Sequence, residues 1–96
     1  MRRRAAAVDA NQSEIVAALR GVGASVVDLS SMGSGTPDLL AGYRGVNYFL
    51  EVKDGDKFKS QRKLTPAQSL FHACWRGQIC VVETVDEALR AIGAIQ

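Results

Sequence analysis

The tightest constraint on the fold lies between residues 65 and 87, where two helix-start signals bracket a short apolar run. Thr65-Pro66-Ala67-Gln68 supplies an N-cap threonine, a proline at the first helical position and a glutamine that closes a capping box. Thr84-Val85-Asp86-Glu87 repeats the device and opens a short helix through Ala88, Leu89 and Ile92. Between them, Gly77 stops the first helix and Ile79-Cys80-Val81-Val82 is a continuous, mostly β-branched run. It is too short for a helix and reads as a fully buried strand. A strand with a helix on either side in sequence belongs to a layered domain, a sheet with helices packed on its faces.

The upstream half fits the same plan. Ile15, Val16, Leu19 and Val22 recur at helical spacing, predicting a helix over about residues 10–22, ended by Gly21 and Gly23. Ser25-Val26-Val27-Asp28-Leu29 reads as a strand and residues 30–36 as a loop. Residues 37–42 and 46–53 read as two strands joined across Tyr43-Arg44-Gly45, most simply as an antiparallel hairpin. Trp75, Phe71, Cys74 and Leu70 make the apolar face of the helix that Thr65 opens. The order α-β-β-β-α-β-α is that of an α/β domain with a mixed sheet. At 96 residues there is room for one domain; we place it at residues 9–96, behind a flexible basic tail over 1–8. No low-complexity tract, glycine period or sustained heptad suggests disorder, collagen or coiled coil. No apolar run approaches the roughly 18 residues of a membrane span, so no membrane partner is expected.

Chemistry concentrates at one end of the hairpin. Side chains alternate along a strand, so Phe49, Glu51 and Lys53 share one face and Tyr48, Leu50 and Val52 the other. Glu51 and Lys53 are then same-face neighbours about 6.5–7 Å apart. Asp38, after Pro37, falls near the Lys53 end, so two carboxylates and an ammonium converge. Two close carboxylates repel each other, and a divalent cation relieves the repulsion; Mg²⁺ characteristically takes one or two carboxylates, waters and substrate phosphates. A lysine beside them stabilises charge developing at phosphorus or orients the attacking water. A lone Glu-x-Lys is common on salt-bridged strands; the Pro-Asp thirteen residues upstream makes it more telling.

Pro37-Asp38-Leu39 with Glu51-Val52-Lys53 resembles the signature of the PD-(D/E)XK nuclease superfamily, whose core runs α-β-β-β-α-β. Gly35-Thr36-Pro37-Asp38-Leu39-Leu40, Glu51-Val52-Lys53-Asp54-Gly55 and Leu64-Thr65-Pro66-Ala67-Gln68 are further similar to the small stand-alone VRR-NUC nucleases, many of them phage-encoded. The likeness runs from about Glu14 to Leu89. It implies a restriction-endonuclease-like fold, αβββαβ plus a C-terminal helix, with helices flanking the mixed sheet. It also implies a Mg²⁺-dependent DNA endonuclease, with Mn²⁺ able to substitute, cutting phosphodiester bonds in branched or Holliday-junction-like DNA as a homodimer. In-line attack by water would leave 5′-phosphate and 3′-hydroxyl ends. Residue by residue, the resemblance makes Asp38 and Glu51 metal ligands, the Val52 backbone carbonyl a third, and Lys53 the catalytic lysine. Gln68 would orient Lys53 or a phosphate, although a capping box alone explains a glutamine there. Glu14 matches the acidic residue many members carry on the first helix, a further candidate ligand; a solvated helix carboxylate is the alternative.

Net charge is only +2, but its distribution is uneven. Lys57, Lys59, Arg62 and Lys63 fall within seven residues just after the Glu51–Lys53 strand, a position suited to clamping the phosphate backbone of DNA. Arg2, Arg3 and Arg4 offer a second contact or a solvated tail. Too few aromatics are present for a single-strand stacking platform. His72, the lone histidine, reads as a partly buried polar residue near Trp75. Gly33-Ser34-Gly35 lacks the Gly-Lys-Ser/Thr ending of a phosphate-binding loop and lets the chain turn ahead of Asp38. Cys74 and Cys80 have no metal-ligand spacing and read as buried, reduced thiols. No small-molecule cofactor is implied. No apolar segment follows Arg2–Arg4, so the expected compartment is the cytoplasm of a bacterial or phage-infected cell. The rival reading is a non-catalytic nucleic-acid-binding or scaffold module with a nuclease-like fold; an RNA-directed or sequence-specific relative is a third.

Overall fold

The computed structural model describes residues 9–96; Arg2, Arg3 and Arg4 lie outside the described residues. Helix α1 (Gln12–Gly21) leads into β1 (Ser25–Asp28), β2 (Leu39–Tyr43) and β3 (Val46–Val52). A single 3₁₀ turn at Lys59–Gln61 precedes α2 (Pro66–Cys74), β4 (Gln78–Val82) and α3 (Val85–Ala91). The expected element order holds, with ends moved by a residue or two. One such shift has a clear cause at β2, which starts at Leu39 and not at Pro37. Proline has no N–H for the ladder, and the Asp38 side chain takes over the pairing there by accepting from the Val52 N–H at 2.8 Å.

The sheet runs β1-β2-β3-β4, with the first three strands antiparallel and β4 parallel to β3. Arg44 and Gly45 both have positive φ, 52° and 80°, which is the two-residue turn whose twist suits a hairpin. That turn fixes the register Tyr43↔Val46 through Leu39↔Leu50. Continued by one pair, it sets Asp38 opposite Glu51.

Alternation sends Val26, Leu39, Ala41, Leu50, Val52 and Val82 to one face, where Ile15 and Leu19 of α1 and Ala88 of α3 complete a buried core with Ile92. The opposite face carries Phe49, Asp38 and Glu51 under α2. The rings of Phe71 and Trp75 lie 5.5 and 4.6 Å from Phe49, both edge-on. This second face is thinly covered. None of the residues of α2 is buried, Leu70 is 66% exposed and Trp75 44% exposed.

β4 corrects an expectation. The strand is not fully buried: it forms an edge of the sheet, and only Val82 is buried. A continuous apolar run reports low polarity on both faces, and it does not report whether both faces are covered. Cys74 is likewise exposed and Cys80 half-buried, both as free thiols. No described helix is long and apolar enough to cross a membrane.

Candidate active site

Glu51 and Lys53 stand at the C-terminal end of β3, with Asp38 beside them just before β2. Their side chains line one cavity of about 270 Å³ with Val52 and Gln68. Glu51 is 1% exposed and Lys53 8% exposed, an uncommon depth for charged groups. Burying them without partners would cost several kcal/mol, and the partner that joins them is Gln68. Its Oε1 accepts from Lys53 Nζ at 3.0 Å, while its Nε2 donates to Glu51 Oε2 at 3.2 Å. Lys53 Nζ itself lies 4.0 Å from Glu51 Oε2.

The two readings of Gln68 turn out to be one arrangement. Gln68 Oε1 also accepts from the Thr65 N–H at 2.9 Å, and Thr65 Oγ1 accepts from the Gln68 N–H at 3.2 Å. The capping box therefore fixes the side chain that reaches Lys53 and Glu51. Helix initiation and site geometry are served by the same amide.

Electrostatics follow from burial. The Glu51 carboxyl is pushed up to about 8, first by its burial and then by the Asp38 carboxyl beside it, against which Lys53 acts in the opposite direction. The charge of Asp9, on the rim of the cavity, adds a smaller push the same way. Burial also pulls His72 down, helped by the Lys53 charge.

A divalent cation fits this donor set. Among the described residues Glu51 Oε1 is buried without a hydrogen-bond partner, an orphaned oxygen in the wall of a cavity that also holds Asp38. The available ligands are all oxygen, the preference of a hard cation such as Mg²⁺. Among the described residues no cluster of three or more His, Cys, Asp or Glu side chains is poised for a metal. A two-carboxylate site completed by backbone carbonyl, water and substrate oxygen matches what remains, and Val52 lines the same cavity.

Glu14 is not brought to this place. It is exposed on α1 and borders a separate depression with Asp54, Asp56, Glu83 and Asp86. The acidic side chain that α1's leading edge delivers to the rim is instead Asp9. Helical phase decides this: Gln12 and Ile15 face inward, which turns Glu14 away. Nothing in the residue pattern around Asp9 singles it out. Asn11 was equally hidden from the sequence. Its Nδ2 donates to the carbonyls of Lys53 at 3.1 Å and Glu83 at 2.8 Å, tying α1 to the ends of β3 and β4.

The basic segment is divided. Lys57 pairs with Asp9 at 3.0 Å and Arg62 with Glu83 at 2.9 Å. Lys59 and Lys63 are exposed, and with Arg62 they border a different depression from the one holding Asp38.

A mixed sheet of this order, with an acidic pair and a buried lysine at the end of its central hairpin, is the architecture of a restriction-endonuclease-like nuclease domain. A solved structure described as a VRR_NUC domain has 31% sequence identity to this chain and a TM-score of 0.66, covering 88% of this chain and 92% of that one. The chain belongs to the VRR-NUC nuclease domain family. No family model matches the sequence, and no curated protein does.

Proposed function

We propose that this protein is a Mg²⁺-dependent endonuclease that hydrolyses phosphodiester bonds in branched, Holliday-junction-like DNA as a homodimer, with Mn²⁺ able to substitute. The observation that carries the reading is Gln68 holding Lys53 and Glu51 together beside the orphaned Glu51 oxygen and Asp38. Asp38, Glu51 and the Val52 carbonyl would hold the cation, which when bound supplies positive charge to the phosphoryl oxygens. Lys53, kept from solvent and aimed by Gln68, supplies a fixed positive charge where negative charge grows at phosphorus. Gln68 holds that ammonium at a set distance, so no reorganisation is needed as the reaction proceeds.

Lys59 and Lys63, exposed and in no salt bridge among the described residues, can meet the phosphate backbone, and Lys57 and Arg62 can join them by exchanging the half-buried carboxylates of Asp9 and Glu83 for phosphate. Dimerisation is supported by the thin cover over α2 and β4, where Leu70, Trp75 and Val81 face solvent. The cytoplasm of a bacterial or phage-infected cell is the proposed compartment.

One gel tests the reading. Duplex, flap and four-way-junction DNA are incubated with Mg²⁺ and either the native protein or Asp38→Asn. Cleavage of a branched substrate by the native protein alone is expected. Failure to cut any substrate, or equal cutting by Asp38→Asn, overturns the reading in favour of a non-catalytic nucleic-acid-binding module.

A further inference from the structure

The loop between β1 and β2 carries three successive residues with positive φ: Gly33 at 73°, Ser34 at 58° and Gly35 at 78°. Left-handed backbone alone accounts for a glycine at 33, where an added Cβ would meet nothing within 4 Å. Gly35 is different. A Cβ there would stand 2.3 Å from the Ala67 carbonyl oxygen, 2.5 Å from the Ala67 carbonyl carbon and 2.9 Å from the Gln68 nitrogen. All three are backbone atoms in the first turn of α2, so no rotamer change relieves the overlap. Unstrained carbon contacts lie at about 3.5–4.0 Å, so any side chain at 35 drives loop and helix apart by about 1 Å.

That first turn carries Gln68, whose amide holds Lys53 Nζ at 3.0 Å and Glu51 Oε2 at 3.2 Å. Displacement by about 1 Å takes both contacts beyond hydrogen-bonding distance.

We propose that Gly35 is a positioning residue: by letting the loop backbone touch the start of α2, it sets where Gln68 meets Lys53 and Glu51. Its consequence for catalysis rests on the nuclease reading above; its consequence for the position of Gln68 does not. Asp38 lies three residues beyond Gly35, just before β2.

The test compares Gly35→Ala with Gly33→Ala, since both put alanine at positive φ and only the first meets α2. On a cleavable DNA, Gly35→Ala should lower kcat by about 10–100-fold with KM nearly unchanged, the scale expected of a 1 Å misplacement. Gly33→Ala should stay within about threefold of the native kcat, its cost being backbone strain. In a Gln68→Ala background, Gly35→Ala should lower kcat no further, because the two act through one contact. Independent additive losses overturn the proposal. A second readout needs neither metal nor DNA: the Gln68 side-chain amide resonance should move in Gly35→Ala and stay in place in Gly33→Ala. An unmoved resonance in folded Gly35→Ala overturns the proposal even if the native protein cuts no DNA, the result that would overturn the nuclease reading instead. Should Gly35→Ala fail to fold, the native protein decides: nuclear Overhauser contacts from the Gly35 α-protons to the Gln68 amide are expected, and their absence overturns the proposal.

Discussion

The two faces of the sheet are built for different purposes. Beneath α1 and α3, Leu39, Leu50, Val52 and Val82 are within 2% of full burial and form one apolar cluster with Ile15, Leu19 and Ala88. Beneath α2, the same strands present Phe49, Asp38 and Glu51, and the covering helix buries none of its own residues. One face secures the fold by removing apolar surface from water. The other holds a buried acid, a buried lysine and an amide between them, an arrangement that costs desolvation and is tolerated only through its hydrogen bonds. Stability and chemistry are thus separated by a single side-chain alternation along β3.

The separation is best broken by mutation, and the largest effect expected is on catalysis. Asp38→Asn and Lys53→Ala should each lower kcat by about 10²–10³-fold, the scale of losing a preorganised charge, while moving Tm little. Steady-state cleavage with parallel thermal melts checks this; a collapse of Tm in either variant would show that the site face also carries the fold.

Leu50→Ala is the counterpart on the core face. Leu50 is fully buried, and its truncation should cost about 2–5 kcal/mol, measured by urea unfolding. Cleavage by the fraction that stays folded should be close to native.

The acid–base asymmetry gives a third test. Folding raises the Glu51 carboxyl from 4.5 to about 8. The fold therefore favours the protonated form, and this contribution is fully present below the unfolded value and lost as pH rises through the folded one. Metal-free protein should melt lower at about pH 9 than at about pH 6, and Glu51→Gln should flatten that slope. Added Mg²⁺ should restore Tm most at the alkaline end, where the carboxylate is already formed. Differential scanning fluorimetry across pH, with and without Mg²⁺, checks both statements.

Smaller effects are expected at the surface. Lys59→Ala and Lys63→Ala should each reduce the slope of log affinity against log salt by about 1, read by fluorescence anisotropy on DNA. Leu70→Ser should change monomer stability by less than about 0.5 kcal/mol. If α2 forms a dimer interface, the same change should shift the population toward monomer in light scattering.

Much of the site could be read from the chain because its geometry is local. The hairpin that brings Asp38 toward Glu51 was legible across Tyr43-Arg44-Gly45, but the structure pairs Tyr43 with Val46, narrows the turn to Arg44-Gly45 and thereby sets the register. Lys53 follows from period-two alternation. Gln68 was visible as a capping residue, yet its contact with Lys53 and Glu51 spans the β3–α2 connection and depends on how α2 seats against the loop. Glu14 was placed by likeness to a motif, and helix phase sends it to a different depression; Asp9 reaches the rim because α1 packs as it does.

By itself, then, the sequence determined the elements, their order, the hairpin and the shared face of Glu51 and Lys53. These depend on turn chemistry, capping and periodicity, which act over a few residues. Only the tertiary structure decided that β4 is an edge, that α2 packs Phe71 and Trp75 on Phe49 while leaving Leu70 exposed, that Asp9 and not Glu14 borders the cavity, and that Gly35 touches Ala67. Those outcomes depend on how separate elements are packed in space, and a contact between distant residues leaves no periodic trace in either of the segments that make it.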